Sequence, residues 1–206
     1  RIIAQAVYYF YTYFKLDVDK PISFSVPTGN FGDVFAGYLA KEMGLPIDKL
    51  IVATNENDIL HRAISNGDYI SKKVKETLSP SMDIQLASNF ERLIYYVNNS
   101  NSEITTNIMK KIKHNTYQIE KSNLETIQKD FVSESCSEDE TLEIIKENFE
   151  KNNIILDPHT AVGVGAAHKL SFNDCVVLST AHPCKFPAAT DKAIKNHEDL
   201  PKELQY

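Results

Sequence analysis

A glycine-bearing turn at residues 28–33, Thr-Gly-Asn-Phe-Gly-Asp, is the first stretch whose residue types suggest chemistry. Before it, Ile22 to Val26 predicts a short strand, and after it Val34 to Met43 predicts a helix. The free N–H groups and the dipole of a helix's first turn favour an anion at such a junction. Gly29 and Gly32 would let the backbone approach an oxyanion without a Cβ in the way. The turn therefore predicts an anion site.

A simpler interpretation of this turn stays open. Asn30 or Asp33 would cap the following helix in an ordinary strand–helix connection, and a short G-x-x-G match is common. The pattern is neither a Walker A loop nor a G-x-G-x-x-G fingerprint, so the chemistry of nucleotide binding does not transfer to it. The turn alone leaves the identity of its anion open.

A second group of polar residues could also hold a phosphate. Ser88 and Asn89 stand at the start of another predicted helix, and Arg92 follows one turn later on the same face. An arginine fork can donate two hydrogen bonds to a phosphate dianion. The alternative is a capped surface helix with a solvated arginine. Asn55 and Asn57, after a further buried strand, are weaker candidates for lining the same pocket.

The elements that would position these residues alternate between strand and helix. The second predicted strand is Leu50 to Thr54, and a helix follows it from Ile59 to about Ser65. Strand–helix–strand order with a short crossover predicts parallel strands and an α/β fold. Residues 1–97 and 154–206 are assigned to this α/β portion, and residues 98–153 to a variable, mostly helical, peripheral insert.

The first helix raises the question of what covers it. Apolar residues recur there at intervals of four, at Ile3, Val7, Phe10 and Phe14, and nothing like an N-cap precedes them. The chain also begins with Arg1 rather than methionine. We therefore expect a piece of a longer protein, in which a missing N-terminal half or a second copy of the chain covers this helix.

Composition narrows the class of partner and the compartment. A net charge of −6 argues against nonspecific binding to nucleic acid or to anionic membranes, and no apolar run is long enough to span a bilayer. Three cysteines cannot all pair, which favours a reduced, cytoplasmic setting. They form no close metal-type pair, and we predict no metal site.

Longer motifs, taken in their order along the chain, identify a family. These are PTGNFGDVFAGYLAKEMGLPI, KLIVATNENDILHR, LSPSMDIQLASNFERL, LDPHTAVGVGAA and VLSTAHPCKFPAAT. Together with the opening RIIAQAVYYFYTYF, they closely resemble the C-terminal part of threonine synthase of bacteria and fungi. The resemblance runs from Arg1 to about Thr190 and lapses across roughly 98–137.

The resemblance implies a fold and an activity. Threonine synthase is a pyridoxal-phosphate enzyme of fold type II, with a three-layer αβα architecture and a mostly parallel sheet similar to that of tryptophan synthase β. It is a lyase of threonine biosynthesis. It converts O-phospho-L-homoserine and water to L-threonine and phosphate by γ-elimination followed by β-addition. The α/β portion of this chain would then be the cofactor-binding portion.

The same resemblance implies roles for individual residues. The cofactor phosphate would be held, chiefly by backbone N–H groups, at Gly29, Asn30, Phe31, Gly32 and Asp33. The pyridine nitrogen would meet a neutral hydroxyl, with Thr180 as first choice and Ser179 as second. Such a hydroxyl cannot keep the ring nitrogen protonated as a carboxylate would. The phosphate of the substrate would lie at Ser88, Asn89 and Arg92.

One required residue is not expected in this chain. The Schiff-base lysine of the family lies in its N-terminal half, in an aromatic-rich Phe-Lys-Asp context that no lysine here shares. The chain would thus contain no catalytic residue and be inactive alone. Its cofactor would be pyridoxal phosphate, which in this fragment would be bound, absent, or replaced by a phosphate or sulfate. His159, His182 and Lys185 flank family motifs and are interpreted as structural.

Two other functions remain as alternatives. The first is a threonine-synthase-like phospholyase or another fold type II lyase, although a dehydratase would carry a different glycine-rich phosphate loop. The second is a non-catalytic anion-binding or interaction domain. The motifs expected of an active enzyme are intact wherever the sequence covers them, which favours the synthase.

Overall fold

A sheet of four parallel strands forms the centre of the computed structural model, which describes residues 1–195. The strands are Ile22–Pro27 (β1), Ile47–Thr54 (β2), Phe131–Ser135 (β3) and Cys175–Val177 (β4). Their order across the sheet is β3-β2-β1-β4, and every neighbouring pair is parallel. The parallel pairing predicted from the short crossover between the first two strands is therefore confirmed.

Helices connect these strands and cover both faces of the sheet. They are Ile2–Leu16 (α1), Gly32–Glu42 (α2), Ile59–Asn66 (α3), Phe90–Val97 (α4), Ser102–Lys113 (α5), Lys121–Asp130 (α6), Glu138–Asn152 (α7), Pro158–Lys169 (α8) and Pro187–Ile194 (α9). Helix α7 begins with an S-x-x-E capping box, in which the Ser137 side chain accepts from the backbone N–H of Glu140 and the Glu140 side chain accepts from the backbone N–H of Ser137.

Side chains of the central strands alternate between two buried layers. Phe24 and Leu50 belong to the larger core, which contains residues of α1 to α6. Ile51 and Ala53, on the opposite face, pack against Val162 of α8. Because successive residues of a strand point to opposite faces, two helical layers are needed to bury both sets. The predicted three-layer αβα fold with a mostly parallel sheet is confirmed.

Helix α8 lies directly on the sheet because its residues are small. The Ser25 hydroxyl donates a 2.6 Å hydrogen bond to the carbonyl oxygen of Gly163. A Cβ at Gly163 would lie 2.9 Å from Cγ1 of Val177 and 3.0 Å from Cγ of Pro27. Glycine at this position therefore brings the helix against the last residues of β1 and β4.

Strand β3 is an element that the sequence analysis missed. It lies inside the range 98–153, where we predicted helices, and it pairs with β2 from Leu50–Phe131 to Thr54–Ser135. Its five residues, Phe-Val-Ser-Glu-Ser, offer little apolar alternation, and they follow α6 without an intervening turn residue. A short edge strand of this kind carries a weak sequence signal.

Helix α1 buries Ala6 and Tyr9 and exposes most of the apolar stripe that we expect a missing half or a second copy to cover. Ile3, Val7 and Phe14 are 82%, 60% and 70% exposed, whereas Ala6 and Tyr9 are buried. The helix is apolar on several sides, so spacing alone could not identify its contact face. The exposed stripe of α1 is uncovered within the described residues.

No helix within residues 1–195 is both long enough and apolar enough to cross a membrane.

Candidate functional site

Packing of the Phe31 side chain in the protein interior holds the turn after β1 in one conformation. Phe31 has a left-handed backbone, with φ of 65°, and its ring is 1% exposed. The ring contacts Phe90 edge-on at 5.1 Å and Phe131 at 5.8 Å between centroids. A left-handed phenylalanine is uncommon, and such residues persist where surrounding structure compels them. The interior of the protein thus fixes the shape of the turn.

Gly29 is required for a reason that the sequence did not show. A Cβ there would lie 2.5 Å from the carbonyl oxygen of Ser81, a backbone atom that cannot move aside as a side chain would. At Gly32 the nearest atom to a Cβ would be the amide nitrogen of Asn89, at 3.3 Å. Gly29 therefore allows the turn to pack against residues 79–82, and Gly32 leaves the helix N-terminus open.

Helix α2 begins at this turn with its first N–H groups unclaimed by a cap. Its N-cap residue is Phe31, and no side chain caps the helix. The first four N–H groups of a helix have no partner within the helix, and a left-handed residue at a turn favours a concave arrangement of N–H groups that binds anions. The donor set suits a phosphate group.

Asp33, in the first turn of α2, is turned toward Tyr9 of α1. The Tyr9 hydroxyl lies 2.9 Å from the Asp33 carbonyl oxygen and 3.3 Å from Oδ1 of its carboxyl group. Burial raises the pKa of Asp33, and the hydrogen bond from Tyr9 opposes that rise. Burial also raises the pKa of Tyr9 well above its ordinary value, so its hydroxyl stays a donor. A backbone role for Asp33 in an anion site is consistent with this arrangement.

The structure brings the second predicted group against the first. The carbonyl oxygen of Asn30 accepts hydrogen bonds from the backbone N–H of Asn89 at 3.2 Å and from its side-chain amide at 3.1 Å. Oδ1 of Asn30 lies 3.5 Å from the hydroxyl of Ser88. The side-chain oxygen of Asn89 in turn accepts from Nε of Arg92 at 3.1 Å. Two segments more than fifty residues apart therefore form one polar surface.

This surface opens into a large cavity. Its volume is about 1180 Å³, and its wall includes the whole turn together with Ser88, Asn89 and Arg92. Arg1, which precedes α1, and Gln5 in its first turn also line the cavity. A cavity of this size is ample for a coenzyme and a small substrate together.

Thr180 and Ser179 lie at the same edge of the sheet, outside the wall of this cavity. Strand β4 neighbours β1, and the backbone N–H of Leu178 donates to the carbonyl oxygen of Ser25 at 2.9 Å. The chain then continues past the carboxyl end of β4, where Ser179 and Thr180 are both exposed. In parallel sheets ligands bind at this edge, outside the carboxyl ends of the strands.

A buried polar cluster that includes Asp157 and His159 lies next to the Thr180 hydroxyl. Asp157, the N-cap of α8, accepts from the ring Nδ1 of His159 at 2.8 Å and lies 3.3 Å from the Thr180 hydroxyl. Nε2 of His159 accepts from the backbone N–H of Ser81 at 3.3 Å. The predicted structural role of His159 is thus visible as a tie between α8 and the segment that packs on Gly29. The sequence analysis did not select Asp157, although Asp-Pro at the start of a helix is a capping signal.

The remaining candidates lie elsewhere. Asn55 and Asn57 are buried and share Oδ1 of Asp83 as an acceptor, at 2.8 and 3.0 Å. They stabilise the coil before α4 and do not line the large cavity. Lys185 is exposed in a short 3₁₀ turn, and His182 caps that turn by accepting from the N–H of Cys184. His182 thus stabilises the local backbone, and the structural interpretation of Lys185 stays a prediction.

Comparison with known proteins identifies the relatives of this chain. A family model described as "Threonine synthase, C-terminal" matches residues 160–206. A threonine synthase of Saccharomyces cerevisiae is 45% identical over 100% of this chain and 46% of its own length. One from Pseudomonas aeruginosa is 45% identical over 94% of this chain and 42% of its own length.

A solved structure agrees with the computed one. The crystal structure of a PLP-bound threonine synthase from Brucella melitensis superposes with a TM-score of 0.95 at 43% identity, covering 98% of this chain and 45% of that chain. The resemblance found in the sequence motifs is confirmed. The chain spans less than half of the length of each of these relatives.

Proposed function

We propose that this chain, which is homologous over its whole length to the C-terminal part of threonine synthases, forms the coenzyme-phosphate half of an enzyme that makes L-threonine and phosphate from O-phospho-L-homoserine and water. The observation that carries the proposal is the direct contact between the turn at 29–33 and the segment 88–92 at one cavity. It supports two phosphate sites side by side, one for a coenzyme and one for a substrate.

Pyridoxal phosphate is the coenzyme that this half would hold. When bound, it supplies an electron sink that draws electrons from an attached amino acid. The backbone N–H groups at Gly29, Asn30, Phe31, Gly32 and Asp33 would hold its phosphate, with the dipole of α2 adding partial positive charge. The carboxyl group of Asp33 is engaged with Tyr9, which limits its repulsion of that phosphate. Thr180, with Ser179 as second choice, would face the pyridine nitrogen.

The segment Ser88–Arg92 would hold the phosphate that leaves the substrate. Within the described chain, no hydrogen bond or ion pair occupies the terminal nitrogens of Arg92, whose Nε is fixed by Asn89. A guanidinium held in this way can donate both terminal groups to a dianion. Stabilising the departing phosphate favours elimination, since charge accumulates on it as the bond to carbon breaks.

The rest of such an enzyme would complete the site. The half that is present in the relatives and not in this chain would supply the lysine that attaches the coenzyme, and it or a second copy would cover the exposed stripe of α1. Residues 1–97 and 154–195 would form the coenzyme-binding portion, with 98–153 as a peripheral insert. Residues 196–206, assigned to the same portion from the sequence, lie outside the described residues. A cytoplasmic location fits the three free thiols at Cys136, Cys175 and Cys184.

The experiment that tests the proposal uses the full-length natural polypeptide that carries this chain. It is given pyridoxal phosphate and O-phospho-L-homoserine, and L-threonine and inorganic phosphate are measured together. We expect the two products in equal amounts. Phosphate without threonine would favour the phospholyase instead, and release of neither product with the coenzyme bound would overturn the proposal.

A further inference from the structure

Tyr69, a buried tyrosine that follows α3, contacts the backbone beside the segment at residues 88–92. Its side chain is 2% exposed. The hydroxyl oxygen accepts a hydrogen bond from the backbone N–H of Ala87 at 2.9 Å, and the hydroxyl donates to the carbonyl oxygen of the same residue at 3.3 Å. Both polar backbone groups of Ala87, the residue directly before Ser88, are therefore held by one side chain.

This double contact requires the hydroxyl of Tyr69 to be protonated. A phenol can donate and accept at once, whereas a phenolate cannot donate. Burial raises the pKa of Tyr69 to about 12, and the hydrogen bond to the Ala87 carbonyl opposes that rise. The hydroxyl therefore keeps its proton at neutral pH, and both hydrogen bonds persist there.

The ring of Tyr69 makes a second contact that is separate from the first. Its centroid lies 4.8 Å from that of Phe90, and the ring of Phe90 meets Phe31 edge-on at 5.1 Å. The ring thus belongs to the aromatic packing that supports the turn at 28–33, while the hydroxyl holds Ala87. Replacing Tyr69 by phenylalanine removes the hydroxyl contact and retains the ring.

Helix α4 depends on such tertiary contacts because its start is not fixed locally. Its N-cap residue is Asn89, and no side chain caps the helix. Its beginning is held by the hydrogen bonds from Asn89 to the carbonyl oxygen of Asn30 and by those between Ala87 and Tyr69. Ala87 is 3% exposed, and a buried N–H without an acceptor is costly. Loss of the Tyr69 hydroxyl therefore favours conformations in which Ala87 moves.

We propose that Tyr69 is a positioning residue for the phosphate of the substrate, and that it acts through Ala87 by holding residues 88–92 in the arrangement that binds this phosphate. The inference rests on the proposed function, which assigns residues 88–92 to the substrate. A segment that adopts its binding arrangement only part of the time binds its ligand more weakly in proportion. The coenzyme turn keeps its support from Phe31 and Phe90, so the effect falls on the substrate.

The test compares Tyr69→Phe with the matched control Tyr117→Phe in the full-length natural polypeptide loaded with pyridoxal phosphate. Tyr117 is buried in the same core at 3% exposure, and its hydroxyl makes no hydrogen bond to another residue among 1–195. We expect Tyr69→Phe to raise the KM for O-phospho-L-homoserine about 3- to 10-fold, the value of roughly one net hydrogen bond, with kcat and coenzyme affinity unchanged. Tyr117→Phe should change none of these quantities.

A double variant distinguishes positioning from a general loss of stability. Arg92→Ala removes the charged group that Tyr69 is proposed to position, so Tyr69→Phe should raise KM less in that background than it does alone. A merely structural role would give the same effect in both backgrounds, and that result would contradict the proposal. An unchanged KM in Tyr69→Phe would also contradict it.

Hydrogen exchange in the wild type provides a second test that requires no variant. We expect the backbone amide of Ala87 to exchange slowly, and exchange at the rate of an unprotected amide would refute the proposal. This measurement decides if Tyr69→Phe does not fold. Both products are measured in parallel, so a wild type that makes threonine, with no change of KM in Tyr69→Phe, refutes this inference and leaves the proposed function standing. A wild type that makes neither product overturns the proposed function itself.

Discussion

Gly29 shows how a single missing methyl group sets the position of the turn after β1. The neighbouring Ser81 carbonyl occupies the space that a Cβ would need, so the turn can approach the 79–82 segment only with glycine there. That segment is tied to α8 by the hydrogen bond between Ser81 and His159. The turn therefore packs on the segment at residues 79–82, and α8 in turn holds that segment in place.

Gly29→Ala should lower the free energy of unfolding by roughly 1–3 kcal/mol, because a backbone atom must move to admit the methyl group. Gly32→Ala should cost clearly less, since the end of the Asn89 side chain can rotate away. Urea unfolding of the two variants measures the difference. Equal losses would show that the contact with Ser81 does not govern this turn.

Arg92→Ala should raise the KM for O-phospho-L-homoserine about 10- to 100-fold, the loss expected for one or two charge-assisted hydrogen bonds to a phosphate. Coenzyme affinity should be unchanged, because Arg92 is assigned to the substrate alone. Arg92→Lys should recover part of the loss, since it restores the charge without the fork. Steady-state kinetics and coenzyme titration of the full-length polypeptide provide the measurements. Weaker binding of the coenzyme with an unchanged KM for O-phospho-L-homoserine would reverse the assignment of the two phosphate sites.

Asp157→Ala should lower the free energy of unfolding by roughly 1–3 kcal/mol at neutral pH, because buried donors lose a charged acceptor. The folded-state pKa of Asp157 is below its ordinary value, so ionised Asp157 stabilises the fold above about pH 4. This stabilisation is lost as the pH falls through the folded-state pKa. The difference between wild type and variant should therefore shrink in acid. Denaturant unfolding at several pH values checks this, and a difference independent of pH would contradict it.

At the scale of elements, the sequence predicted best where one physical signal decided the outcome. The buried strands β1 and β2 were identified because continuous apolar runs are a specific signal. The turn at 28–33 was found because strand, glycine and helix follow in order. The motifs also selected segment 88–92, but no local signal could show that it contacts Asn30.

The missed features share a dependence on tertiary structure. Strand β3 is defined by its pairing with β2 rather than by its own sequence. The contact face of α1 was set by Tyr9, whose ring packs on Phe24 with a centroid distance of 4.9 Å while its hydroxyl reaches Asp33. The proximity of Asp157 to Thr180 became visible only once α8 lay beside the end of β4. Long-range contacts of this kind are outside the reach of periodicity.

Gly163→Ala should destabilise the packing of α8 on the sheet, with a loss of roughly 1–3 kcal/mol. The atoms that a Cβ would meet belong to Val177 and Pro27, which are rigid side chains on two different strands. Gly32→Ala is the milder control, since a Cβ there would lie no closer than 3.3 Å to any neighbouring atom, the side-chain nitrogen of Asn89. Thermal unfolding compares the pair, and an equal loss at Gly32 would contradict the proposed close contact.

At the scale of the whole molecule, the turn proposed to hold the coenzyme phosphate lies in a chain in which no lysine stands in a Phe-Lys-Asp sequence. Mixed alone with pyridoxal phosphate, the 206-residue chain should give no site-specific lysine adduct and no threonine. Borohydride trapping followed by peptide mapping is the measurement, with site occupancy compared against the other exposed lysines. A stoichiometric reduced adduct on Lys185 would contradict the prediction.

The left-handed backbone of Phe31 has a consequence for how binding can fail. Its strain is sustained by the aromatic rings of Phe90 and Phe131, which belong to separate elements and meet only in the finished interior. A partly unfolded state that kept its helices but lost the contacts of Phe31 with Phe90 and Phe131 would relax the turn to an ordinary backbone conformation. During unfolding, affinity for the proposed coenzyme should therefore be lost before secondary structure is lost. Coenzyme binding would then report whether the interior of the protein is fully packed.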